Sequence, residues 1–127
     1  MPLVRIALPK GKSAEYRGAI SRGVQSALVE TFNVPPDDLY QVITEHAPGT
    51  ELVHPKSYLG ITYSDDFVAI QLTVSDTRGL EQKKQLFKRI VERLSDNPGL
   101  RPQDVFINLI EVKKENWSFG NGIAQYA

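Results

Sequence analysis

Met1-Pro2 opens the chain, ahead of the alternating run Leu3, Val4, Arg5, Ile6, Ala7, Leu8. Removal of Met1 turns Pro2 into a secondary amine, a base no internal proline supplies, because an internal proline nitrogen is an amide. A free α-amine titrates near ~8. Burial or a second cation lowers that value and a carboxylate raises it, so one atom can serve as general base or general acid. With Met1 retained, Pro2 has no basic nitrogen and the dipeptide is an ordinary start before a strand.

Two further charged residues suit such an amine. Arg78 stands at the start of the second helical pattern, where unpaired backbone N–H groups favour an anion, and its planar donors match a small carboxylate. The structural alternative is a surface pair with Asp76 or Glu81. Asp38 follows Pro35-Pro36 and has a counterpart in Asp104. A turn or capping role predicts matching jobs for both aspartates; a functional role predicts asymmetry, since only Asp38 can approach the amino terminus. Trp117, Phe119 and Tyr126, with Gly120 and Gly122 between them, can wall a dry pocket or cover the core or a subunit contact.

Other chemistries are poorly served. Pro9-Lys10-Gly11-Lys12-Ser13 ends like a phosphate-binding loop, but Ile6 stands where that loop needs its first glycine. His46 and His54 are the only histidines and cysteine is absent, so neither a structural zinc site nor a thiol nucleophile is expected. His46 reads as a loop histidine held by backbone or by Glu45. No cofactor is expected. Lys plus Arg equal Asp plus Glu at 15 each, without the basic footprint of a nucleic-acid binder. No apolar stretch reaches membrane-spanning length and no signal segment opens the chain, so a soluble cytoplasmic protein is expected. Asn116-Trp117-Ser118 is then an accidental glycosylation match.

The elements that must position these residues form a repeat. A shift of 66 residues lays Val34-Pro35-Pro36-Asp37-Asp38-Leu39-Tyr40 over Leu100-Arg101-Pro102-Gln103-Asp104-Val105-Phe106 and puts Lys12 on Arg78. Residues 2–47 and 67–113 each read strand, helix, strand, with a C-terminal aromatic segment at 114–127. Tyr16, Ile20, Val24, Ala27, Leu28 and Phe32 mark one helical face; Leu80, Phe87, Ile90, Val91 and Leu94 mark the other. Parallel strands within a unit need a right-handed crossover. The expected fold is α/β (α+β): one domain, a four-stranded mixed sheet from two β-α-β units, with both helices on one face. Ile43, Val68, Ile70, Leu72 and Leu109 suggest apolar character on both sheet faces, asking for a further layer from another chain or from the C-terminal segment folded across the sheet.

The combination resembles the tautomerase superfamily, and within it the malonate semialdehyde decarboxylase-like branch. The resemblance runs in order and spacing over Pro2, Val34 to Gln41, Arg78 with Glu81-Gln82-Lys83, Trp117 to Gly120 and Ala124-Gln125-Tyr126. It implies a homotrimer with an amino-terminal proline at the base of a small pocket. Pro2 is then the acid-base group, Asp38 its carboxylate, Arg78 the anchor for a small carboxylate substrate, and Trp117, Phe119 and Tyr126 the wall. Some relatives carry a second arginine where this chain has Asp76. The implied activity is decarboxylase-like, with hydration of unsaturated acids by the same machinery; keto-enol tautomerisation of 2-oxo acids and a non-catalytic trimeric binding module are the alternatives.

Overall fold

The computed structural model describes residues 1–127. Strand β1 (Leu3–Pro9) leads through α1 (Ala14–Phe32) to β2 (Gln41–His46); β5 (Val68–Ser75) leads through α2 (Leu80–Asp96) to β6 (Val105–Val112). Between the two units lies a small hairpin, β3 (Ser57–Tyr58) and β4 (Ile61–Thr62). β1 pairs parallel with β2 and β5 with β6, while β1 and β5 join antiparallel, giving the order β2-β1-β5-β6.

Alternation decides which strand residues enter the core. Val4, Ile6 and Leu8 of β1 and Val68, Ile70, Leu72 and Val74 of β5 are buried against Ile20, Val24, Ala27 and Leu28 of α1 and Leu86, Ile90 and Leu94 of α2. Each of these Val, Ile and Leu side chains contributes roughly 1.5–3 kcal/mol of burial. The helices touch at Gly23, where a Cβ would stand 2.8 Å from Leu94 Cδ2. Ser13 opens α1 by accepting the Tyr16 N–H at 3.1 Å. The left-handed backbone of Asn33 (φ 55°) closes it.

Positions 66 apart share their backbone bonds. Val34 N–H donates to Leu28 O as Leu100 N–H does to Leu94 O; Asp38 N–H donates to Pro35 O as Asp104 N–H does to Arg101 O. The ion pair Arg17–Glu45 (3.0 Å) matches Lys83–Glu111 (2.8 Å), each tying a helix to the second strand of its unit.

Three expectations are corrected. Register places Ile43 beside Ile6, and Leu109 beside Leu72, so all five apolar residues assigned to two faces lie on the helix-covered one. The open face alternates Arg5, Thr44, Gln71 and Asn108 with Val42, Ala69, Phe106 and Ile110. The C-terminal segment does not cross that face; Trp117 bonds to Ser75, so it packs at the end of the sheet where β1 begins and β5 stops. His46 is the last residue of β2, its Nε2 2.8 Å from Thr44 Oγ1, whereas Glu45, on the opposite face, goes to Arg17.

The hairpin escaped the sequence reading because each strand has only two residues. Its turn, Leu59 (φ 52°) and Gly60 (φ 77°), has the double positive φ of a two-residue hairpin loop. It holds Tyr58 and Leu59 out in solvent, Leu59 82% exposed.

Candidate active site

The antiparallel seam brings the head of β1 beside the tail of β5, with Leu3 opposite Thr73. Val4 N–H donates to Tyr40 O at 3.0 Å, drawing the segment before β2 to the same end. Pro2, Asp38 and Arg78, far apart in sequence, therefore converge. Pro2 is buried, and the Met1 amine lies 3.7 Å from Asp38 Oδ2.

The two aspartates of the repeat diverge here. Asp104 is fully buried; its Oδ1 accepts the Ser64 N–H at 2.8 Å and its Oδ2 the Ser64 hydroxyl at 2.6 Å. Asp38 is 8% exposed, yet neither carboxylate oxygen accepts a hydrogen bond. Its backbone is fully used, the N–H by Pro35 O and the carbonyl by Gln25 Nε2. A buried carboxylate without donors is costly to the fold. What faces it is the terminal amine.

The two cations diverge in the same way. Lys12 is closed by Asp66 at 2.6 Å. Arg78 is half-buried and pairs with neither Asp76 nor Glu81; Glu81 goes to Lys84 at 3.7 Å, and Asp76 approaches Glu111. Arg78 is instead held by neutral groups. Its Nη2 donates to Phe32 O at 2.7 Å, its Nη1 to Thr77 Oγ1 at 3.1 Å, and its guanidinium lies 4.8 Å from the Phe32 ring centroid. Each of those nitrogens keeps a second N–H, so the fork can still grip a carboxylate. Burial pushes the Arg78 pKa below its ordinary value, against the pull of Asp38.

The terminal amine sits below its ordinary value of 8.0. Burial is the largest cause; Asp38 pulls upward, and Arg78 and Lys114 push down.

Aromatic side chains complete this end of the molecule. Trp117 and Phe119 stack at 5.8 Å and 11°, Tyr126 meets Phe119 edge-on at 5.2 Å, and Tyr40 lies 6.0 Å from Phe119. These rings cluster on the same chain as the charged groups. Tyr40, Ser75, Phe32 and Lys114 were given no site role in the sequence reading. Only Tyr40 carried a signal, being two residues beyond Asp38 at the head of a strand. Cavities of about 490 and 340 Å³ sit elsewhere, beside the hairpin and Phe106, and include none of Pro2, Asp38 or Arg78. No three His, Cys, Asp or Glu side chains gather as a metal site.

A family model described as tautomerase enzyme matches residues 38–120, and a second so described matches residues 2–58. The chain is a tautomerase-family protein. It is 38% identical to the probable tautomerase YusQ of Bacillus subtilis (strain 168), over 98% of both chains. A crystal structure of a malonate semialdehyde decarboxylase inhibited by 3-bromopropiolate is 37% identical, with a TM-score of 0.91 over 98% of this chain and 93% of that one. Structures of malonate semialdehyde decarboxylase described as a basis for decarboxylase and hydratase activities are 30% identical, at a TM-score of 0.88 over 98% and 95%. This tautomerase therefore falls in the malonate semialdehyde decarboxylase-like branch. A fused 4-OT trimer, 18% identical over 98% and 97% with a TM-score of 0.79, shares the fold.

Proposed function

We propose that this tautomerase-family protein is an enzyme of small oxo or unsaturated carboxylic acids, with decarboxylase-like chemistry on a 3-oxo acid as its reaction. The observation that carries the reading is the broken symmetry of the repeat. Asp38 is buried without a hydrogen bond beside a terminal amine, whereas Asp104, its counterpart, is fully satisfied. Removal of Met1 transfers the terminal nitrogen to Pro2, at the head of β1. Pro2 is then the acid-base group, Asp38 its electrostatic partner, and Arg78 the carboxylate anchor. Trp117, Phe119 and Tyr126 exclude water.

In the decarboxylase reading, Pro2 is the ammonium and Asp38 favours that form. It polarises the 3-oxo group while the bond to the carboxylate carbon breaks; carbon dioxide departs, and the electron pair passes into an enol that takes its proton from Pro2. The apolar wall disfavours the departing carboxylate's charge. Water activated by Asp38 can instead add to an unsaturated acid. A second reading has its own support in the lowered affinity of the terminal amine for protons. A neutral Pro2 removes a proton beside a 2-oxo group and returns it elsewhere, which is keto-enol tautomerisation.

The assembly is proposed to be a homotrimer, as in the fused 4-OT structures, located in the cytoplasm.

The test is modification by 3-bromopropiolate across pH, followed by intact mass and peptide mapping. A chain lacking Met1 and labelled at Pro2 is the expected result. Label elsewhere, or full retention of Met1 in the native source, overturns the catalytic reading in favour of a binding module. Turnover separates the reactions: kcat/KM falling as pH rises through the Pro2 pKa marks the acid and decarboxylation, and kcat/KM rising marks the base and tautomerisation.

A further inference from the structure

Ser75 is where the anchor and the aromatic wall meet. It ends β5 and is 5% exposed. On one side its carbonyl accepts the Thr77 N–H at 2.9 Å, folding the turn that carries Arg78, and the Thr77 hydroxyl accepts from Arg78 Nη1. On the other side its hydroxyl accepts the Trp117 Nε1–H at 3.1 Å. Asp76 N–H donates to Val112 O at 2.9 Å, which holds the end of β6, just before Trp117, against the same turn.

An indole N–H is a donor only, and when buried it needs an acceptor. The Ser75 hydroxyl thereby fixes how deep Trp117 sits. Phe119 stacks on that ring and meets Tyr40 and Tyr126, so the placement of one indole passes to the whole wall. The fold does not require a hydroxyl at this point, because the position 66 residues earlier is Pro9, likewise the last residue of a strand.

We propose that Ser75 is a positioning residue that sets the separation between the Arg78 guanidinium and the Trp117–Phe119 wall, and so the size of acid the site accepts. This rests on the reading of the site as a carboxylic-acid pocket.

Trp117 is the sole tryptophan, so intrinsic emission reports its surroundings directly. Ser75→Ala is expected to shift that emission. It is also expected to raise the 3-bromopropiolate concentration for half-maximal inactivation about three- to tenfold, the scale of one neutral hydrogen bond. Ser75→Thr, which keeps a hydroxyl, restores both. Trp117→Phe removes the donor; in that background Ser75→Ala is expected to change nothing more, since two groups acting through one bond are not additive. An equal effect on inactivation in both backgrounds, or unchanged inactivation in Ser75→Ala, overturns the role of Ser75 while the pocket reading stands. Absence of inactivation in the unaltered protein overturns the pocket reading, and this proposal with it.

Discussion

The Arg78 guanidinium already spends donors on Phe32 O and Thr77 Oγ1, and the Phe32 ring backs it. It is oriented before any substrate arrives, which limits the ordering cost of binding. Arg78→Ala is expected to raise KM roughly ten- to a hundredfold, as for loss of one charge-assisted contact of about 1.5–3 kcal/mol. If the contact is equal in ground and transition states, kcat is unchanged. Steady-state kinetics on a small oxo acid checks this; an unchanged KM places Arg78 outside the substrate site. The Met1 amine feels the same local field. Burial outweighs Asp38 and sets the pKa below 8.0. In either reading the pH limb due to Pro2 should therefore lie lower than the same proline gives in an unfolded peptide, and comparing the two alkylation profiles measures the shift.

Among elements, the 66-residue correspondence separates what the fold needs from what it tolerates. Both units keep the bond that closes the helix, the turn before the last strand and the helix-to-strand ion pair. They part at the aspartates. Asp104→Ala strips the acceptor from the half-buried Ser64 N–H and hydroxyl, so a loss of about 1–3 kcal/mol is expected. Asp38→Asn removes a buried charge that no hydrogen bond supports, and it should leave the protein at least as stable while lowering turnover about a hundredfold or more, the scale of acid-base assistance. Denaturant unfolding of the two variants, with their turnover, checks the contrast. Equal destabilisation would show that Asp38 serves the fold as Asp104 does.

For the whole molecule, the open sheet face and the hairpin beside it are the unfinished parts. Tyr58, Leu59 and Ile61 project from the β3–β4 hairpin, and Phe106 and Ile110 lie exposed on β6. Apolar surface gathered at one place is a common mark of association. Light scattering is expected to give a trimer for the native chain. Leu59→Glu, which puts a charge at the most exposed of these side chains, is expected to shift it towards monomer. A native monomer overturns the trimer, and a trimer unaffected by Leu59→Glu removes the hairpin tip from its contacts. The cluster of Trp117, Phe119 and Tyr126 forms within one chain, without such a neighbour.

Periodicity and the internal repeat were enough to determine the two β-α-β units and the helix-covered sheet, because alternation and helical spacing are local consequences of backbone geometry. The motif order likewise pointed to the family. Which face each strand residue occupies was decided only by register: a shift of one residue exchanges the two faces, and no local pattern sets it for Ile43 or Leu109. The short hairpin also depended on three-dimensional pairing, since two residues per strand are too few to alternate legibly. Asp38 and Asp104 look alike in sequence. They differ because Ser64 stands beside one and the Met1 amine beside the other, and the satisfaction of a buried carboxylate is a property of what tertiary packing brings to it.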